Sequence, residues 1–308
     1  MKVIGTGLTG LIGTRFAELL GDSYELEFIN QENGVNILDR EAILNFISVS
    51  KAPLVLHMAA KTNVDVCEQD MYRDKEILSL KNEKEMERAF IEEKTAYGIN
   101  AFGTQNVVEA CKKTNKKIVY ISTDFVFDGT KKHYSEDDKP NPINWYAKTK
   151  YEGEKIVQNS GLEYMIVRLA YPYRALFERN DFVRAIADKL SKGFKLNMVT
   201  DHIMVPTFID DFVNALDILI QKGEKGIFHV VGSQALTPYD AAIKIAEEFD
   251  LEKELISKTT RKEYFAGKAP RPFCLNLKNA KIGNLGIEMS TFDQGLREVV
   301  NQIERMHI

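Results

Sequence analysis

The chain has 308 residues, of which 44% are hydrophobic and 28% charged, the make-up of an ordinary soluble globular protein of one large or two modest domains with a sizeable core. A formal net charge of −4 gives no basic signal, so nucleic acid and membrane surfaces are not expected partners. Three widely spaced cysteines, Cys67, Cys111 and Cys274, fit neither a disulfide framework nor a metal-ligand spacing and read as reduced and mostly buried.

The chain opens directly on an apolar strand, Lys2–Gly5, followed by a helix over Leu11–Leu20 and a second strand over Tyr24–Ile29. Arg40–Val49 reads as helix and Leu54–Met58 as a buried strand. Asn100–Lys113, Lys117–Ser122, Tyr146–Asn159 and Tyr164–Leu169 continue as helix, strand, helix and strand. This alternation predicts an α/β protein with a Rossmann-type, doubly wound parallel sheet. Residues 1–170 read as a dinucleotide-binding domain to which 208–232 returns. Residues 171–207 and 233–308 read as a smaller C-terminal α/β substrate-binding domain. Between the core elements, Tyr72–Lys94 is dense in Lys and Glu, with Ile77, Leu78, Leu80, Met86, Phe90 and Ile91 at helical spacing. It reads as an inserted surface helix or helical pair, with a lid or oligomer contact as the sharper alternative. No leader pattern and no apolar run of membrane-spanning length is apparent, so the expected setting is cytoplasmic.

Gly7, Gly10 and Gly13 lie in the turn between the first strand and the first helix. That placement, rather than the glycines alone, points to a dinucleotide. Gly7 permits the tight turn, Gly10 lets phosphate approach the backbone, and Gly13 lets helix and strand pack closely. The amides of Leu11 and Ile12 at the helix start, with the helix dipole, then face the pyrophosphate. The second strand ends at Asn30, where an acidic residue would grip an NAD ribose and a nearby Arg would favour NADP. Asn30-Gln31-Glu32 supplies neither clearly, so NADP or NAD is expected with the preference open.

Tyr146 and Lys150 stand four apart on a predicted helix and share one face. A ketone that accepts hydride becomes an alkoxide and needs a proton in the same transition state. A nearby ammonium favours the phenolate of Tyr146, and bringing a Tyr pKa from about 10 to neutrality corresponds to roughly 4 kcal/mol. Thr123, at the end of a predicted strand, would hold the carbonyl oxygen; its plainer role is a local backbone hydrogen bond.

GTGLTGLIG at the start, HMAAKTNVDVCE at 57–68, INAFGTQNV at 99–107, ISTDFVFDGT at 121–130, NPINWYAKTKYEGEK at 141–155, VPTFIDDF at 205–212 and APRP at 269–272 complete the pattern. Together these motifs resemble the extended short-chain dehydrogenase/reductases that act on nucleotide sugars, nearest the dTDP-4-dehydrorhamnose reductase (RmlD-like) family. The resemblance implies Tyr146 as proton donor, Lys150 as its partner, Thr123 as the carbonyl-binding hydroxyl and Asn100 as the support of Lys150 through solvent. It implies cofactor contacts at Gly10, Leu11 and Ile12, at Asn30 beside the ribose and at Asn36 and Ile37 beside the adenine. Ala59, Ala60 and Thr62 match the loop along the cofactor. Asp124, Tyr171 and Arg271 match substrate positions, with Arg271 suited to a diphosphate.

The chain departs from that pattern at Asn30 and Asn36, which replace acids, and at Cys274, Leu275 and Lys278 after Arg271-Pro272. Arg15 follows the glycine turn, so no metal is expected. The implied activity is NAD(P)H-dependent reduction of a nucleotide-linked 4-keto sugar. An epimerase of the same fold is the first alternative; a dehydratase is disfavoured by Phe125 where those enzymes place a Glu base. A non-catalytic cofactor-binding subunit, like the regulatory subunit of methionine adenosyltransferase, is the second, and retention of Thr123, Tyr146 and Lys150 argues against it. Self-association as a homodimer is expected on symmetry grounds.

Overall fold

The computed structural model describes residues 1–30 and 34–305. Five short apolar runs form the strands β1 (Lys2–Thr6), β2 (Glu25–Ile29), β3 (Leu54–His57), β4 (Lys117–Thr123) and β5 (Tyr164–Leu169). They order as β2-β1-β3-β4-β5, and the strand Gly226–His229 closes the far edge. The pairs β1–β2, β1–β3 and β3–β4 are parallel. Burial on both faces explains why β3 (LVLH) has no exposed residue and reads as a continuous run rather than an alternation.

Helices cover the sheet where their apolar stripes match it. α1 (Leu11–Leu20) buries Gly13 and Phe16, and a fully buried Phe side chain is worth about 2–3 kcal/mol. α2 (Arg40–Val49) is started by the Asp39 carboxylate, which accepts from the Ala42 amide. The charged stretch 72–94 is a helical pair, as its spacing predicts. α3 (Val64–Leu78) is capped by Asn63, and α4 (Glu83–Glu93) is capped by Asn82 and stopped by Lys94 in the left-handed region, φ 49°. A five-residue π-helical turn, Gly98–Phe102, precedes α5 (Gly103–Thr114). Such turns are rare and concentrate at functional sites. α6 (Trp145–Gln158) is capped by Asn144.

The chain separates into two compact units. The first comprises 1–126, 142–167 and 224–227; the second comprises 127–141, 168–223 and 228–308. The segment 208–232 is divided between them, with the helix Ile209–Gln221 in the second. The core of the first unit joins Ile4, Ile43, Val55, Val107, Ile118 and Ile166. The core of the second gathers Tyr173, Val183, Phe208, Phe292, Leu296 and Val299. Gly295 serves that packing, since a Cβ there would sit 2.0 Å from the Tyr173 hydroxyl oxygen.

Candidate active site

β1 runs into the glycine turn. Gly7 takes φ 70°, and a Cβ on it would lie 2.6 Å from the Ala59 amide nitrogen. At Gly13 a Cβ would fall 2.4 Å from the Leu8 Cα, so both positions are held by close backbone approach. Gly10 differs: its nearest neighbour would be the Gly7 carbonyl oxygen at 3.2 Å. Gly10 also caps α1 and brings no side chain to that end. The cradle is therefore open at Gly10 and closed behind it, which fits a pyrophosphate laid against the helix start.

The loop after β3 is tied to this turn by a chain of buried polar groups. The Ala59 amide donates to Thr6 Oγ1 at 3.1 Å, and Thr6 Oγ1 lies 2.6 Å from His57 Nδ1. His57 Nε2 lies 3.0 Å from Thr104 Oγ1, which donates to the Asn100 carbonyl at 2.8 Å. Thr104 has spent its proton, so His57 Nε2 must donate and Nδ1 must accept. Burial holds His57 far below its ordinary pKa, at about 3, in keeping with that neutral tautomer. Sequence reasoning passed over His57, and only its place in HMAA beside the matched Ala59 and Ala60 could have signalled it.

Asn36 makes a local turn, its Oδ1 accepting from the Leu38 amide at 3.0 Å, and Ile37 is buried against Gly103. The Asn106 amide fixes this segment by donating to the carbonyls of Ile37 and Leu38. Asn30 directly follows β2, and its carbonyl accepts from the Val35 amide at 3.1 Å. Gln31 and Glu32 lie outside the described residues. Ala60 and Thr62 follow Ala59 in the partly exposed loop that leads to Asn63.

The candidate catalytic residues lie at the end of β4 and in the first turns of α6. Thr123, Asp124, Tyr146 and Lys150 are all buried, at 6%, 2%, 8% and 2% exposure. The Thr123 hydroxyl acts on the Tyr146 phenol, opposing the rise that burial gives its pKa. It also donates to Asp124 Oδ1 at 3.0 Å and accepts from the Phe125 amide at 3.2 Å. Phe125 presents its edge to Tyr146, with centroids 5.9 Å apart. Lys150 Nζ donates to the Ile121 carbonyl at 2.8 Å and stands 4.1 Å from the centroid of Tyr120. Gly153 makes room for that ring, because a Cβ there would lie 2.3 Å from the Tyr120 hydroxyl oxygen.

The electrostatics differ from the expectation for Tyr146. Burial raises its pKa, with Thr123 opposing and Asp124 adding to the rise. Burial likewise pulls Lys150 down to about 7 and pushes Asp124 up to about 7. A Lys already reluctant to carry charge, and turned to the Ile121 carbonyl, does not overcome the desolvation of the phenol.

Asn100 sits fully buried in the π-turn. Its amide nitrogen donates to the Lys61 carbonyl and to Thr149 Oγ1, both at 3.0 Å, and its Oδ1 accepts from the Lys61 amide at 2.8 Å. It thus reaches α6 through Thr149.

Tyr171 and Arg271 belong to the second unit. Tyr171 has φ 41° and its hydroxyl lies 2.9 Å from His202 Nε2, while His202 Nδ1 is 2.8 Å from the Pro272 carbonyl. A carbonyl only accepts, so Nδ1 donates and Tyr171 gives its proton to Nε2. His202, absent from the sequence reading, links Tyr171 to the turn that carries Arg271. The Arg271 guanidinium donates to the Ala269 carbonyl at 2.7 Å and lies 4.9 Å from the Phe265 centroid. Among the described residues no group of three or more His, Cys, Asp or Glu could hold a metal, and no helix is long and apolar enough to cross a membrane. Cys67 and Cys111 are buried and unbridged, and Cys274 is half-buried and unbridged.

A parallel sheet that opens on a glycine turn, with Thr, Tyr and Lys converging at one strand end, defines a Rossmann-type protein of the extended short-chain dehydrogenase/reductase class. The model of the RmlD substrate binding domain matches residues 1–89 and 82–305, and the chain belongs to that family. It is 27% identical to a dTDP-4-dehydrorhamnose reductase of Aggregatibacter actinomycetemcomitans, over 97% of this chain and 98% of the relative. It is 30% identical to methionine adenosyltransferase 2 subunit beta of Xenopus tropicalis, over 96% of this chain and 86% of the relative. Among solved structures it is similar to dTDP-4-dehydrorhamnose reductase of Bacillus anthracis in complex with NADP. There the TM-score is 0.85 with 26% identity, over 98% of this chain and 99% of that one.

Proposed function

We propose that the protein is an NAD(P)H-dependent reductase of a nucleotide-linked 4-keto sugar, like the dTDP-4-dehydrorhamnose reductases it resembles. The observation that carries this reading is the buried set Thr123, Tyr146 and Lys150 on the unit that bears the open glycine cradle. The first unit is read as the dinucleotide-binding domain and the second as the substrate-binding domain. The turn at Gly7, Gly10 and Gly13, with Leu11 and Ile12, would hold the pyrophosphate. Asn30, Asn36, Ile37, Ala59, Ala60 and Thr62 would line the rest of the cofactor. When bound, the reduced nicotinamide supplies the hydride to the carbonyl carbon.

The chain's own groups supply the rest. Tyr146, kept protonated by burial, gives its proton to the carbonyl oxygen as negative charge develops there. Thr123 orients that oxygen and Lys150 assists the phenol and the ribose. Asp124, Tyr171 and Arg271 are assigned to the substrate, with the guanidinium fork on the diphosphate. A cytoplasmic setting and a homodimer complete the reading. The test is incubation with NADPH or NADH and a panel of nucleotide 4-keto sugars, following cofactor oxidation and sugar product. Reduction of at least one supports the reading, and no turnover on any refutes it.

A second reading is a non-catalytic cofactor-binding subunit, favoured by the 30% identity to the Xenopus tropicalis subunit. It requires that cofactor binds in the same assay while no sugar is reduced.

A further inference from the structure

Trp145, the only tryptophan in the chain, directly precedes Tyr146 at the start of α6 and is held by a helix far away in sequence. Its backbone amide donates to Glu68 Oε2 at 2.7 Å, and its indole N–H donates to Asp74 Oδ2 at 2.7 Å. Both acceptors lie on α3. An amide in the first turn of a helix has no partner within the helix, so Glu68 fills a place that water or a local cap usually takes. Asp74 is fully buried. A buried carboxylate is costly unless its oxygens are satisfied, and here they accept from the Trp145 indole, the Tyr97 amide at 3.0 Å and the Thr95 hydroxyl. A helix that merely covered the surface would need no such group.

The same carboxylate binds Thr95 and Tyr97, which lead straight into the π-turn. The Trp145 and Tyr97 rings stack, with centroids 6.5 Å apart. Three residues further on, Asn100 reaches Thr149 at 3.0 Å. Trp145 and Thr149 are four apart on α6, so they lie on one face of the helix. Two anchors on one face fix both the rotation and the axial position of the first turn. Tyr146 lies between them. A change in either coordinate moves its phenol away from Thr123, and misplacement by about 1 Å costs on the order of 100-fold in rate.

We propose that α3 is a bracket on the helix bearing Tyr146: Glu68 and Asp74 are positioning residues that hold Trp145 and thereby aim the phenol at Thr123. This gives the charged insertion a role inside the site. The kinetic part rests on the reductase reading above.

The test compares Asp74→Ala, Asp74→Asn and Trp145→Phe in the full chain. Asn can turn its carbonyl toward the indole and the Tyr97 amide, while its NH2 faces Thr95 Oγ1, a hydroxyl that can also accept. It should therefore rescue what Ala loses. Binding of NADPH is read from cofactor emission sensitised by Trp145 in the two Asp74 variants and by calorimetry in Trp145→Phe, with no turnover needed. Asp74→Ala should shift Trp145 emission to the red and keep NADPH affinity within about twofold, while kcat falls about 10- to 100-fold with KM little changed. Trp145→Phe keeps an aromatic ring beside Tyr97 and loses the N–H together with part of the indole's bulk, so it should show the same kinetic split should Asp74→Ala fail to fold. Asp74→Asn should regain kcat to within about threefold of the parent.

Turnover within about twofold of the parent in both Asp74→Ala and Trp145→Phe overturns the proposal, as does an Asn variant as slow as the Ala variant. If the parent protein reduces no nucleotide keto sugar, the functional reading has failed and the bracket is judged by emission alone. In that case an unshifted Trp145 spectrum in Asp74→Ala overturns it, and a red shift reversed in Asp74→Asn supports it.

Discussion

The Asn100 side chain donates to Thr149 Oγ1 at 3.0 Å, and Thr149 passes its own proton to the Tyr146 carbonyl at 2.9 Å. The π-turn and the helix that bears Tyr146 are thereby one hydrogen-bonded piece. Thr149→Val keeps the shape and removes both bonds, leaving a buried amide donor unpartnered. It should lower stability by about 1–3 kcal/mol in denaturant titration, while Thr149→Ser should stay near the parent. Equal stability of Val and Ser variants would contradict this linkage.

The glycine turn sets positions fixed by close packing beside one that is left open. Gly13→Ala forces a Cβ to within 2.4 Å of the Leu8 Cα, whereas Gly10→Ala meets only the Gly7 carbonyl oxygen at 3.2 Å. Gly13→Ala should destabilise by about 2–4 kcal/mol. Gly10→Ala should leave the melting temperature within a few degrees and weaken NADPH binding at least about tenfold, because the new methyl would stand in the proposed phosphate approach. Calorimetric titration with NADPH on both variants checks the pair.

Two buried charges give opposite pH signatures. Lys150 falls from an ordinary 10.5 to about 7 through burial, so between those values the folded state binds fewer protons than the unfolded state. Its contribution therefore makes stability rise with pH from about 7 to about 10.5. Asp124 rises from 3.8 to about 7, so the folded state binds more protons in that window and stability falls as pH climbs through it. Lys150→Met should raise the melting temperature most at or below pH 7, with the gain gone near pH 10.5. Asp124→Asn should show no gain near pH 4 and its full gain at pH 8. Melting curves across the range decide both.

His57 is a neutral coupler between the glycine turn and Asn100. Replacing it with Phe strands Thr6 and Thr104 and should cost about 2–4 kcal/mol. Its ordinary pKa of 6.5 is depressed to about 3, so the unfolded state binds more protons between these values and stability declines as pH falls from 6.5 to 3. Nitrogen NMR should show Nε2 protonated and Nδ1 bare from pH 5 to pH 9. Titration of His57 within that range would contradict the hydrogen-bond chain.

Much of the first unit was legible because its signals are local. A strand, a turn needing Gly7 at φ 70° and an amphipathic α1 fall within the first twenty residues. Tyr146 and Lys150 share a face by helical spacing alone. The long-range contacts around that pair were not legible. Glu68 and Asp74 reach Trp145 across 77 and 71 positions, and His57 reaches Thr104 across 47, distances over which periodicity carries no information. The rise in the Tyr146 pKa is hidden from the sequence for a related reason: Lys150 four residues on is visible there, but the burial that outweighs it is not.

In the proposed reaction Tyr146 delivers the proton while the reduced cofactor delivers the hydrogen to carbon. The most direct measurement supplies NADPH deuterated at the transferred position with a nucleotide 4-keto sugar, and locates the label in the sugar by mass spectrometry and NMR. The predicted result is one deuterium at C4 with the parent protein. Tyr146→Phe should bind NADPH as before and lose turnover by at least about 1,000-fold. A product without deuterium at C4, or a Tyr146→Phe variant of undiminished activity, would contradict the account.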